Sequence, residues 1–199
     1  MTKFDFDVDI DMADRNAFLQ GVRHTPASIE KNGKFIKHNT GVYFQNIPAF
    51  PVEGFSTIDH KQAEQDGWFK VDFLNNNVYK DIASDAHLQK LIDTEPMWEL
   101  LEDANFVSLL FHISKYADIV NAYKPKTIEE LAMILAIIRP AKRHLQGTPF
   151  EEIAKTVWDK PEGSEAYYFK KSHAFAYALT IVVQINLICE QAAKPNLPF

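Results

Sequence analysis

Phe4, Phe6, Val8 and Ile10 stand at every second position near the start of the chain, and Asp5, Asp7, Asp9 and Asp11 fill the alternate positions. A period of two predicts a β-strand near residues 3–10, apolar on one face and carrying four carboxylates on the other. A short helix is expected from about Met12, followed by strands at 34–36 and 41–45, where β-branched and aromatic residues alternate with polar ones. Pro48 and Pro51 then break the pattern, and the polar stretch 58–66 suits one or two helical turns. Residues 68–72 read as another short strand. Parity puts Trp68, Lys70 and Asp72 on one face and Phe69, Val71 and Phe73 on the other, with Asp72 at the strand's end.

From Asn75 onward the period is helical. Leu88, Leu91 and Ile92, then Met97, Leu100 and Leu101, recur in steps of three and four. Thr127-Ile-Glu-Glu130 is a capping box, and Ile128, Leu131, Ile134, Leu135 and Ile138 form the buried stripe of the helix it starts. Arg139-Pro140 ends that helix. Another amphipathic helix is expected over about 149–158, and the Pro161-Glu-Gly163 turn leads to a last, long one. The pattern therefore predicts an α+β protein: a small, mostly antiparallel sheet within residues 1–74 and a helical region over 75–199. Internal repeats, low-complexity tracts and flexible linkers are absent from the sequence.

Composition narrows the function classes. With 199 residues, 46% hydrophobic and 13% aromatic, the chain can bury a substantial core. A single cysteine, Cys189, excludes an internal disulfide and any multi-cysteine zinc site, which suits a reducing compartment. The acidic N-terminal stretch does not resemble a secretory signal, so cytoplasm is the expected location and a membrane is not an expected partner. The uncharged run from Ala174 to Cys189 falls short of the roughly 20 residues a bilayer span needs, and Thr180, Gln184 and Asn186 interrupt it; a buried core helix is expected there. A net charge of -6 opposes unaided grip on nucleic acid. Lys142, Arg143 and His144, or Lys170 and Lys171, could form a local positive patch or simply solvated helix ends.

The acidic strand is the candidate chemistry. Same-face neighbours lie roughly 7 Å apart along a strand, so its carboxylates repel one another. A solvated edge strand accounts for such a face. So does a divalent cation, because carboxylates at i and i+2 can both reach a pair of metals roughly 4 Å apart. The second account requires a third acid from elsewhere in the chain.

Five ordered blocks carry a resemblance that supplies one. Phe4-Asp-Phe-Asp-Val-Asp-Ile10, followed by Met12 and Arg15, resembles the Pro-Asp-Phe-Asp-Val-Asp-Phe signature in the palm of bacterial DNA polymerase III alpha subunits. Lys37-His-Asn-Thr-Gly-Val42 is similar to that family's His-Ala-Ala-Gly-Val segment, and Gly67-Trp-Phe-Lys-Val-Asp-Phe-Leu74 to its Gly-Leu-Val-Lys-Phe-Asp-Phe-Leu. Leu135-Ala-Ile-Ile-Arg-Pro140 resembles Ala-Leu-Phe-Arg-Pro-Gly of the fingers, and Phe169-Lys-Lys-Ser-His-Ala-Phe-Ala-Tyr-Ala-Leu179 resembles Phe-Asn-Lys-Ser-His-Ala-Ala-Ala-Tyr-Ala-Leu.

The resemblance implies a palm-like region over 1–74, of nucleotidyltransferase type, and a fingers-like region over 75–199. Asp7 and Asp9 would be the metal-binding pair and Asp72 the third catalytic carboxylate, together holding two Mg2+ ions for nucleotidyl transfer to a DNA 3′-hydroxyl. Lys171, Ser172 and His173 match the motif near the incoming nucleotide. Lys70 shares Asp72's face, where it could balance charge, touch a phosphate or be a plain surface lysine. Asp5 and Asp11 would support the metal-binding pair from just outside it or be bystanders, and a structural role is expected for His38 and Arg139. The implied partners are primer-template DNA, a deoxynucleoside triphosphate and a replisome protein.

The chain departs from the family in length, being several times shorter. It lacks the Gly-Ser-rich segment before the palm acids and the arginine- and lysine-rich segment between Arg139 and Phe169. Pro140-Ala141-Lys142 replaces Pro-Gly-Pro, and Asn75-Asn76 replaces Gly-Leu after Asp72's strand. Two readings follow: a minimal polymerase core, or a catalytically reduced accessory or mimic that keeps the fold and binds a replisome partner. Either would suit a phage or mobile element. An unrelated metal-binding α+β domain is the third alternative.

Overall fold

The computed structural model describes residues 8–159 and 169–194, which divide into two compact units at the boundary between Asp81 and Ile82. It is an α+β structure with one small mixed sheet.

In the first unit, β1 (Val8–Met12), β2 (Thr25–Lys31), β3 (Lys34–Tyr43) and β4 (Val71–Asn75) form a sheet in the order β1-β4-β3-β2. β1 runs parallel to β4, and the other two pairings are antiparallel. The part of the expected first strand at residues 3–7 lies outside the described residues. The segments expected at 34–36 and 41–45 are one continuous strand, and its partner β2 is an element the alternation pattern did not predict. The turn joining them has its own signature: Asn32 and Gly33 adopt φ of 52° and 72° between the paired residues Lys31 and Lys34. Two successive left-handed residues make the two-residue hairpin for which Asn-Gly is the favoured sequence.

Two short helices flank the sheet. The Asp14 carboxylate accepts the N–H groups of Asn16 (2.9 Å) and Ala17 (3.1 Å) and starts α1 (Arg15–Gln20). Leu19 of α1 packs with Val42, Val71, Phe73, Val8 and Met12 on one sheet face. The Asp59 carboxylate caps α2 (His60–Gln65), whose Ala63 packs with Tyr43, Ala27, Ile47 and Trp68.

The second unit is helical: α3 (Asp85–Asp93), α4 (Ala104–Val107), α5 (Ala117–Tyr123), α6 (Ile128–Ile137), α7 (Phe150–Thr156) and α8 (Lys171–Ala193). Met97, Leu100 and Leu101 fall at a short 3-10 helix, Trp98–Glu102, rather than in an α-helix. The expected capping box is present in part: the Thr127 hydroxyl accepts Glu130 N–H at 3.1 Å, whereas the Glu130 carboxylate takes the N–H of Lys126 instead of Thr127. Where an apolar stripe was expected, every residue from Leu131 to Ile138 is buried. Met133, Ala136 and Ile137 pack on Ile153 and Val157 from the α7 side, while Leu131, Ile134 and Leu135 join Ala174, Ala178, Ile181 and Ile185 of α8. A helix covered on two sides must be apolar around most of its circumference. The Pro161-Glu-Gly163 turn lies outside the described residues.

α8 is longer than the uncharged run suggested. At 23 residues it is long and apolar enough, by length and composition alone, to cross a membrane, which corrects the expectation that no stretch reaches that length. Half of its apolar window is buried in the protein. The polar residues that interrupt the run are used internally: Asn186 Nδ2 donates to the carbonyls of Leu91 (2.9 Å) and Thr94 (2.7 Å), satisfying the C-terminal end of α3. Gln184 accepts the N–H of Phe111 at 2.8 Å and donates to the carbonyl of Leu109 at 3.0 Å, tying down an irregular turn.

In that turn His112 adopts φ 59°, a left-handed conformation disfavoured for a bulky side chain, and stacks on Tyr177 with ring centroids 4.4 Å apart. Burial, aided by Arg139, lowers its pKa from 6.5 to about 4. The unfolded chain therefore binds more protons at this site between those values, and the contribution to stability is complete above pH 6.5 and lost as pH falls toward 4. Chemical denaturation should show the second unit weakened by on the order of 2 kcal/mol from this group between pH 7 and pH 4. His112→Asn, which tolerates positive φ and does not titrate, should remove that component; an unchanged pH slope in this variant would contradict the assignment.

Candidate functional site

The parallel pairing of β1 with β4 sets Asp9 directly opposite Asp72, with Val8 opposite Val71 and Ile10 opposite Phe73. Paired residues of neighbouring strands project to the same face. Because Val8, Val71 and Phe73 belong to the apolar cluster on α1's side, Asp9 and Asp72 share the opposite face. Two of the three predicted acids are thus brought together from positions 63 residues apart in sequence (72 − 9). Asp7 and Asp5 lie outside the described residues. Asp72 is the second residue of β4 and not its end, since the strand begins at Val71 and not Trp68.

Asp72 is only 7% exposed, and a carboxylate so withdrawn from water requires partners for both oxygens. Thr40 Oγ1 donates to Oδ1 at 2.6 Å, and the Lys70 ammonium pairs with Oδ2. Lys70, two residues before Asp72, is therefore a counter-ion, one of the roles its position allowed. Gly41, the register partner of Asp72 on β3, leaves space for it: a Cβ there would meet Lys70 Cδ at 2.8 Å and His38 Nδ1 at 3.1 Å. The lysine stem passes over the glycine to reach the carboxylate.

The segment carrying Thr40 is a bulge. Ser28 pairs with Lys37 and Pro26 with Val42, so residues 38–41 of β3 face the single residue Ala27 of β2. Such an excess bends the strand and re-aims its side chains. Within the bulge, His38 Nδ1 accepts the N–H of Gly41 at 2.9 Å and of Thr40 at 3.2 Å. From outside it, the Arg15 guanidinium donates to the carbonyls of Asn39 and, at 3.2 Å, Thr40. Backbone donors and acceptors freed by the bulge are thereby satisfied.

His38 Nδ1 also lies 3.7 Å from Asp72 Oδ1. This is not an ion pair. A nitrogen accepting two N–H bonds carries no proton, which puts the ring hydrogen on Nε2, and burial, with Lys70, His60 and Arg15 nearby, lowers the His38 pKa to about 4. The His60 ring approaches edge-on, with centroids 5.3 Å apart.

The Asn75-Asn76 pair, a departure from the family pattern, builds the rim of this site. Asn75 Oδ1 accepts the Arg15 N–H at 2.8 Å. The fully buried Asn76 donates its N–H to the Met12 carbonyl at 2.9 Å and its side-chain amide to Asp11 Oδ2 at 3.4 Å.

The remaining predicted site residues are in the second unit. Lys171, Ser172 and His173 form the first turn of α8; Lys171 and Ser172 are exposed, Lys171 lies over the rings of Phe175 (5.5 Å) and Trp158 (5.9 Å), and His173 meets Phe169 edge-on at 6.2 Å. Lys142 does not contribute to a surface patch. It is buried, its Nζ donates to the Thr156 carbonyl at 2.5 Å, and desolvation lowers its pKa. Arg139 stacks over Phe169 at 4.9 Å, a packing role as expected. Among the described residues, no three His, Cys, Asp or Glu side chains gather closely enough to hold a metal ion.

No family model matches the chain, and neither does any curated protein or solved structure. The functional reading therefore rests on the residues themselves.

Thr40 and Arg15 are the members of the site that the sequence did not reveal; His38 has the structural role expected of it, and it stands at the i, i+3 spacing to Gly41 at which a side-chain acceptor captures backbone N–H groups. The close approach of Lys70 to Gly41 makes a quantitative expectation. Gly41→Ala should destabilise the first unit by about 1–3 kcal/mol through overpacking. In a Lys70→Ala background the same change should cost less than half as much; equal costs by denaturant titration would show that the lysine stem is not what excludes a side chain.

Proposed function

We propose that this chain is a DNA polymerase III alpha-like nucleotidyltransferase core, transferring a deoxynucleotide to a DNA 3′-hydroxyl from a palm-like site on the first unit. The observation that carries the reading is the in-register pairing of Asp9 with Asp72 on adjacent parallel strands. Like charges directly opposite one another destabilise a sheet, and a structural protein gains nothing from them.

Carboxylate oxygens suit a hard divalent cation. On this reading Asp7, Asp9 and Asp72 would hold two Mg2+ ions, whose chemistry is to acidify the primer hydroxyl and neutralise charge on the triphosphate and its leaving group. The chain's own residues do the rest. Thr40 fixes one oxygen of Asp72, Lys70 pairs with the other, and Arg15 and Asn76 hold the surrounding strands. Lys171, Ser172 and His173, which match the family's nucleotide motif, open the 23-residue helix of the second unit. Primer-template DNA would then need help from a replisome partner, given a net charge of -6.

One observation favours the second reading, a catalytically reduced replication accessory. Both oxygens of Asp72 already have protein partners, so Lys70 offsets the acidic face without a metal. Magnesium-dependent primer extension separates the two. The polymerase reading predicts incorporation that Asp9→Asn or Asp72→Asn lowers by at least about 100-fold, in line with loss of a metal-ion catalyst. No incorporation by the wild type with template, clamp and Mg2+ supplied would leave the accessory.

A further inference from the structure

We infer that His38 is a positioning residue, which sets the orientation of the Asp72 carboxylate through the backbone of residues 38–41. For its catalytic consequence the inference rests on the nucleotidyltransferase reading above. The geometry comes from the bulge. Four residues facing one leave residues 38–41 without a regular ladder to β2, and pairing with β4 reaches only as far as Gly41, so strand pairing alone does not fix Thr40. The His38 ring replaces the missing ladder. Its Nδ1 gathers the N–H groups of Thr40 and Gly41 from one side while Arg15 holds the carbonyls of Asn39 and Thr40 from the other. With the peptide planes on both sides of Thr40 held, its hydroxyl is delivered to Asp72 Oδ1 at 2.6 Å.

This arrangement also explains which tautomer the site requires. Nδ1 must be an acceptor, so a side chain at position 38 serves only if it places an unprotonated acceptor where Nδ1 now lies. Asparagine does so: its Oδ1 captures N–H groups two and three residues ahead in the turns this residue type favours. Alanine does not. At position 40, serine keeps the hydroxyl and valine removes it while preserving shape.

The test uses the full chain and Mn2+ as the probe, with binding followed by electron paramagnetic resonance and folding checked by thermal melts. His38→Ala and Thr40→Val should each weaken Mn2+ binding by about ten-fold or more, the range found when outer residues that orient metal ligands are removed. His38→Asn and Thr40→Ser should stay within about two-fold of the wild type. A structural role for the ring would not be rescued by asparagine, because the edge contact with His60 would still be lost. Nitrogen NMR of the wild type, without metal, should show Nδ1 unprotonated.

Wild-type affinity in both His38→Ala and Thr40→Val, with Asp72→Asn losing the ion, would overturn the inference and leave the site reading intact. Failure of His38→Asn to rescue would also overturn it. Should the wild type bind Mn2+ no better than Asp72→Asn, the site reading falls, and the proposed consequence of His38 falls with it. If His38→Ala does not fold, the Thr40→Val and Thr40→Ser pair decides the matter alone.

Discussion

A carboxylate nearly sealed from water is the constraint on which the first unit depends. Leaving one member of a buried ion pair without its partner costs about 3–5 kcal/mol, and Asp72 stands beside a second acid, Asp9. The neighbouring features answer that cost. Lys70 supplies a positive charge, Gly41 gives its stem a path, the bulge brings the Thr40 hydroxyl, and His38 and Arg15 hold the bulge. The segment from Lys37 to Val42 is therefore best understood as a fitting built around one side chain on the next strand, β4.

The same arrangement bears on what the site can do. Lys70 balances the charge of Asp72, and in doing so it occupies one of the two carboxylate oxygens. On the proposed reading a divalent cation would compete with Lys70 for that oxygen, one positive partner taking the place of another.

Much of the fold was legible in the residues, and the failures have physical causes. The period of two at Val8 to Ile10, the capping box at Thr127 and the breaker Arg139-Pro140 each marked an element correctly because local chemistry decides them. β2 went unnoticed because Ala27 and Ser28, both fully buried, are small and carry no alternation, although Asn32-Gly33 announced the hairpin. The full burial of α6 was hidden because a single stripe cannot reveal that two helices cover it. At the site, spacing marked the acidic strand that holds Asp9 and parity put Lys70 on Asp72's face, whereas the choice of Asp9 and Asp72 as partners came from the family resemblance. Thr40 and Arg15 were missed, and the structural role expected of His38 lacked its target, because all three act through a bulge, a register shift between strands that no single stretch of sequence encodes.

On the proposed reading Asp9 and Asp72 form one cation site on the first unit. Paramagnetic broadening measures it most directly: Mn2+ is titrated at sub-stoichiometric amounts into isotope-labelled protein, and amide signals are followed by NMR. Loss of signal centred on Asp9, Asp72 and Gly41, abolished by Asp9→Asn, is the predicted result. Broadening that begins elsewhere, or that survives the Asp9→Asn change, would contradict it.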